Sequence, residues 1–245
     1  MIRVKRRIFS GAVCEQEVYS VSERTNIKKS GPRPRFANDE ERAKHRTEIS
    51  RRKHRRLINE NYGPTSFYST LTFDDDYECH TFKEARRVRD NYIRRLQRVN
   101  PAAKINIYMG RGKSTSRIHF HMLSDGLTPE AIQDKWKAGE VIHIRQLREH
   151  NYYNGVDYGR DYTGLADYLF NHWTEEQGGH RWKATRTVKV PSPEEPKIIK
   201  TEYTETRAPR APKGYRLVET KTTKWGYIYY KYILIPEKKT RNKRD

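Results

Sequence analysis

The stretch Arg117–Ser124, RIHFHMLS, decides the reading of this chain. Residues two apart on a β-strand point to the same face. Ile118, Phe120 and Met122 therefore form an apolar face. His119 and His121 lie side by side on the other. Two imidazoles on one face are half of a divalent-metal site. The spacing alone equally suits two exposed histidines on a solvated sheet, so their surroundings have to decide.

Moving outward, KINIYMG (104–110) reads as the partner strand, with GRGKSTS (110–116) as the hairpin loop. FYSTLTF (67–73) is β-branched, aromatic and of period two, a further strand. Between them HTFKEARRVRDNYIRRLQRVN (80–100) is helical, with Phe82, Ala85, Val88, Tyr92, Leu96 and Val99 on one face and arginines on the other. LTPEAIQDKWKAG (127–139) is a short helix with Thr128 as N-cap and Pro129 at its first position. VIHIRQL (141–147) is a strand, and TGLADYLFNHWTEE (163–176) a helix. The order β-α-β-β-α-β-α predicts an α+β fold whose first six elements form a ferredoxin-like split βαβ sheet, antiparallel, with helices on one face.

The flanks read differently. Residues 1–36 carry the basic runs at 5–7 and 28–29 and the turn-rich SGPRPRF, and predict little stable structure. Residues 38–60 predict a basic helix, polar nearly all round, capped by Asn38 and suited to phosphates or to solvent. Together 1–62 form a basic N-terminal tail and helix, 63–190 the main domain, 191–213 a Pro- and charge-rich linker, and 214–245 a β-hairpin with a basic tail. The loop at 150–162 is rich in Asn, Tyr, Gly and Asp.

In 245 residues the formal net charge is +20, which favours a polyanionic partner, most simply nucleic acid. No apolar run approaches the length of a spanning helix, and the N-terminus lacks a signal-peptide pattern. The reading is a cytoplasmic protein without a membrane partner. Cys14 and Cys79 fit no zinc spacing and read as unpaired thiols.

Several features coincide in order: STLTF, a basic helix, IYMG, the His–Phe–His strand, then YLFNHW and GHRWKATR. Over roughly residues 65–190 this resembles the HUH (His–hydrophobe–His) endonucleases. It is most similar to the rolling-circle replication initiators related to the filamentous-phage gene II type, as in Gram-positive plasmids and integrative elements. The resemblance implies a Mg²⁺- or Mn²⁺-dependent enzyme that nicks single-stranded DNA at an origin and attaches to the 5′ phosphate through tyrosine. It implies His119 and His121 as metal ligands and Tyr168 as nucleophile. Tyr158 and Tyr162 are the competing tyrosines. Relatives carry a lysine three residues after the tyrosine; here it is Asn171. Relatives also often place a glutamate on the strand before the His pair, where this chain has Tyr108, Met109, Gly110 and Arg111. A third ligand must then be His143, His172 or water, and an all-imidazole set tilts toward Mn²⁺. DNA contacts are expected from Arg86, Arg87, Arg94, Arg95 and Arg98, and from Arg181, Trp182, Lys183 and Arg186. Trp225, Tyr227 and Tyr229 could stack on bases. The chain lacks a helicase-like phosphate loop, so a host helicase is the expected partner. A transposase or relaxase of the same chemistry, or a basic nucleic-acid-binding protein without catalysis, are the alternatives.

Overall fold

The computed structural model describes residues 1–23, 38–112, 116–172, 182–223 and 226–235. Along the chain run β1 (Ile2–Ser10), β2 (Val13–Val21), α1 (Asp39–Asn61), β3 (Phe67–Leu71), α2 (Phe82–Val99), β4 (Lys104–Arg111), β5 (Ile118–Asp125), α3 (Pro129–Lys135), β6 (Val141–Gln146), β7 (Tyr152–Tyr153), β8 (Val156–Asp157), α4 (Thr163–Asn171), β9 (Trp182–Ala184), β10 (Lys197–Ile199), β11 (Tyr215–Thr222) and β12 (Ile228–Leu234). The class is α+β with antiparallel sheets, as the element order predicts. The chain divides into two units, one of residues 43–149 and 162–190, the other of 1–42, 150–161 and 191–245.

The first unit is built on a sheet of order β6-β3-β5-β4-β9. Its pairs are antiparallel, and β5 is inserted between β3 and β4. On one face Leu71, Ile105, Ile107, Phe120 and Met122 pack with Phe82, Ala85, Tyr92 and Leu96 of α2 and with Ile132 and Trp136. A capping box starts α2: the Thr81 hydroxyl accepts from the Glu84 N–H at 3.2 Å, and the Glu84 carboxylate accepts from the Thr81 N–H at 3.2 Å. Val99, expected on the apolar face, is exposed. Thr128 caps α3 and Pro129 opens it, as read from the sequence.

The opposite face is covered too. Tyr108 and Leu123 pack there with Leu57, Ile58 and Tyr62 from the end of α1 and with Ala166 and Leu169 of α4. The expectation of a polar, solvated or phosphate-bound α1 therefore needs correction. Asn38 does cap it, accepting from the Glu41 N–H at 2.8 Å. Its last turns are buried, however, and Arg55 forms a two-pronged ion pair with Asp167 of α4 at 2.6 and 2.9 Å.

The second unit overturns the expected loose N-terminus. β1 and β2 form a nine-residue hairpin across Gly11, whose φ of +55° suits a residue without a side chain. The predicted C-terminal hairpin β11–β12 exists, and β12 pairs with β2 to give the sheet β10-β1-β2-β12-β11. The expected linker is also structured. It supplies β10, and its Thr204 and Pro209 carbonyls accept from the hydroxyls of Tyr230 and Tyr232 at 2.8 and 2.7 Å. The loop around 155 is a small hairpin, β7–β8, turned by Asn154 and Gly155 with φ of 48° and 74°. Basic residues 28–29, SGPRPRF and the C-terminal tail lie outside the described residues. Both cysteines are buried and free. Among the described residues no helix is long and apolar enough to cross a membrane.

Candidate metal centre and adjoining tyrosines

β5 presents His119 and His121 on the face that carries Leu123, with Gly110 and Tyr108 of β4 opposite them and Thr70 of β3 opposite His121. A third imidazole arrives from α4. His172 is the C-cap residue of that helix. It settles over Gly110, where a Cβ would meet its Cδ2 at 2.6 Å and its backbone oxygen at 2.8 Å. His172 is thus the third member of the cluster, and the ligand atoms of His119, His121 and His172 all lie within 4.8 Å of one another.

The contacts identify what this cluster can do. His172 Nε2 is 2.6 Å from His119 Nε2 and 2.9 Å from His121 Nε2. One imidazole nitrogen carries either one proton or one lone pair. It can complete only one of those two contacts as a hydrogen bond. A cation at the centre, receiving a lone pair from each ring, satisfies all three. The far nitrogens are held as metal-binding histidines require. His119 Nδ1 faces the Arg117 carbonyl at 3.4 Å. His121 Nδ1 faces the Tyr68 hydroxyl at 2.6 Å and the Thr70 hydroxyl at 3.2 Å. Burial holds the His119 pKa below its ordinary value. Burial, then the neighbouring His172 and His119, push His121 down to about 3. These two rings are neutral at pH 7, the form that binds a metal. The donor set therefore fits a divalent cation.

Tyr168 stands one helical turn before His172. It is 49% exposed, its ring centroid 5.7 Å from that of His121 and 5.5 Å from that of His172. Tyr68 stands close enough for Tyr168 to act on its pKa. Burial pushes the Tyr68 pKa up to about 12, and the Tyr168 neighbour adds to that rise, so Tyr68 keeps its proton at pH 7. Tyr68 and Thr70 escaped the sequence reading, although the alternation of FYSTLTF places both on the polar face. Gly110 escaped it because a glycine ending a strand looks like the start of a turn.

The remaining candidates fall elsewhere. His143 is exposed on β6 and faces Thr70 from the side opposite to His121. Two strand spacings, about 10 Å, separate it from His121, so it is not in the cluster. Tyr162 is buried at the N-cap of α4, and its hydroxyl donates to the Arg148 carbonyl at 2.7 Å. Tyr158 belongs to the other unit and packs edge-on against Tyr153. Arg86, Arg87, Arg94, Arg95 and Arg98 lie on α2, which covers the sheet face opposite to the histidines. Trp182 packs against His54 at 4.6 Å between ring centroids, a core contact. Lys183 and Arg186 are exposed at and beyond β9. Tyr227 stacks on Tyr19, and the Tyr229 hydroxyl donates to Glu15 at 2.7 Å, so both serve the second sheet. Arg181 and Trp225 lie outside the described residues.

The α1 arginines expected to meet phosphate instead hold α4, the helix that carries Tyr168 and ends at His172. Arg51 donates to Asn171 at 2.9 Å and lies over the Phe170 ring at 4.7 Å. With Arg55 on Asp167, these contacts fix the turn of α4 from which Tyr168 and His172 project. Comparison of the chain with protein-family models, with curated proteins and with solved structures returned no match.

Proposed function

We propose that this chain is a metal-dependent, single-stranded-DNA nicking and joining enzyme of the HUH type that initiates rolling-circle replication. One observation carries the reading: three imidazoles converge beside a half-exposed tyrosine on the same helix as the third. The insertion of β5 between β3 and β4, with α2 and α3 on one face, supports the ferredoxin-like form of that fold. The net charge of +20 supports a DNA substrate.

A divalent cation held by His119, His121 and His172 would supply positive charge at the scissile phosphate and orient it. The absence of a carboxylate from the triad favours Mn²⁺ over Mg²⁺. The chain's own groups do the rest. The Tyr168 hydroxyl gives up its proton to solvent, and its oxygen forms the bond to phosphorus. The 3′ oxygen leaves and takes a proton from solvent, giving a 3′-OH and a 5′-phosphotyrosine. Tyr68, protonated and near Tyr168, would donate to the Tyr168 oxygen and stabilise it as negative charge develops. Arg51, anchored on Asn171, brings a cation to the helix position where relatives carry lysine. The phosphotyrosine conserves the bond for rejoining, as replication needs, and a host helicase would open the duplex.

The test incubates the protein with origin-containing single-stranded DNA and Mn²⁺ and looks for an adduct on a denaturing gel, mapped by peptide mass. The expected adduct is on Tyr168 and disappears with EDTA. An adduct on Tyr158 or Tyr162 overturns the nucleophile. DNA binding that survives EDTA with no adduct on any origin DNA overturns the enzyme and leaves a nucleic-acid-binding protein.

A further inference from the structure

One face of the second unit's sheet combines groups that do not suit one another. Lys5 of β1 and Lys197 of β10 are directly opposite in register. Like charges in that position repel. Arg7, two residues along β1 on the same face, is directly opposite Gln16 of β2. Arg7 Nε is buried without a hydrogen-bond partner. Gln16 is 0% exposed, and neither its Oε1 nor its Nε2 has a partner. A buried amide and a buried guanidinium nitrogen left unbonded oppose folding. An arrangement of this kind marks a candidate functional site.

The charge balance says which ligand. Burial first, then Arg7 and Lys197, disfavour the Lys5 ammonium, and Glu194 is the carboxylate that favours it. Three cations thus face one acid. Lys5 also lies 5.8 Å from the centre of the Tyr203 ring, so an aromatic face borders the cations. Phosphodiester oxygens accept hydrogen bonds from the two ammonium groups and from the guanidinium. Cations with an adjoining aromatic suit a single strand, and a chain of net charge +20 meets nucleic acid readily.

We propose that Lys5, Arg7 and Lys197 form a binding site for the phosphates of single-stranded nucleic acid. The site lies in the unit that lacks the histidine triad and uses no metal. It goes beyond the nicking reading and stands or falls separately from it.

The experiment measures binding of fluorescein-labelled oligo(dT) of twenty nucleotides to the full chain by anisotropy, in EDTA, over a range of NaCl. The variants are Lys5→Gln/Lys197→Gln and Arg7→Gln. Removing the two lysines is expected to weaken binding about tenfold at low salt and to flatten the log–log salt slope by about 1.4, the value for two phosphate contacts on a single strand. Because it relieves a like-charge pair, this variant is expected to melt no lower than the wild type. Arg7→Gln is expected to weaken binding similarly. Affinity and slope within twofold of wild type in both cluster variants overturn the proposal. So does a loss confined to a polyglutamate probe, which would assign the cluster to an acidic protein instead.

Discussion

His172 can occupy its place only because residue 110 has no side chain. A Cβ on Gly110 would sit 2.6 Å from His172 Cδ2, 2.8 Å from its Nε2 and 2.8 Å from its carbonyl oxygen. The ring can turn aside, but the backbone oxygen belongs to the α4 C-cap and moves only with the helix. Gly110→Ala is therefore expected to weaken Mn²⁺ binding at least about tenfold, in the range seen when support of a metal ligand is removed. Strand β4 remains paired on both sides, so the fold survives. Isothermal titration with Mn²⁺, alongside circular dichroism, checks both halves. Unchanged affinity would mean that His172 is not a ligand.

Tyr68 touches both parts of the centre. Its hydroxyl is 2.6 Å from His121 Nδ1, and Tyr168 is close enough to act on its pKa. Tyr68→Phe keeps the ring and deletes the hydroxyl that faces both. The expected result is about a 10- to 100-fold slower adduct-forming step with a smaller change in DNA affinity, since a charge-stabilising donor acts on the developing oxyanion. Single-turnover adduct formation at saturating Mn²⁺ separates the two. A change in DNA affinity alone would assign Tyr68 to binding.

How far the centre was legible follows from these residues. His119 and His121 could be read because Ile118, Phe120 and Met122 alternate with them, and the sheet keeps that alternation. His172 could be named as a candidate but not chosen over His143. The choice depends on strand register and on the gap at Gly110, neither of which is local in sequence. The N-terminal hairpin of the second unit was hidden for another reason. Arg6 and Glu17 carry charge inside a strand pair and neutralise each other at 2.5 Å. Glu15, buried, takes the Tyr229 hydroxyl from more than two hundred residues away. A strand whose polar residues find partners across the sheet does not show the apolar alternation by which strands are recognised.

The clamp between α1 and α4 makes a thermodynamic prediction. Arg55 meets both oxygens of Asp167, and both side chains are partly shielded, at 27% and 30% exposure. A double-mutant cycle with Arg55→Ala and Asp167→Ala is expected to give a coupling of about 0.5–1 kcal/mol, the upper part of the range for pairs that solvent still screens. The single variants should also slow adduct formation, because Tyr168 follows Asp167 on the same turn. Urea denaturation supplies the coupling. A coupling near zero would show that the helix is held without this pair, by Leu57, Ile58, Ala166 and Leu169 and by the Arg51–Asn171 bond.

His121 sets the acid limb of stability in the metal-free protein. In the fold its pKa is pushed down from 6.5 to about 3 by burial, then by His172 and His119. The unfolded chain takes up this proton below about pH 6.5, and the folded chain does not until about pH 3. Protonation therefore favours the unfolded state throughout that window. Stability is full above pH 6.5 and falls as the pH drops, by at most about 1.4 kcal/mol per pH unit from this one site. His121→Asn removes the titrating group but keeps a polar side chain of similar reach. In EDTA, the urea midpoint of the wild type is expected to fall more steeply from pH 6.5 to 4 than that of the variant, with parallel curves above pH 7. Parallel curves throughout would mean that the ring is protonated in the fold, and a protonated ring cannot donate a lone pair to a metal.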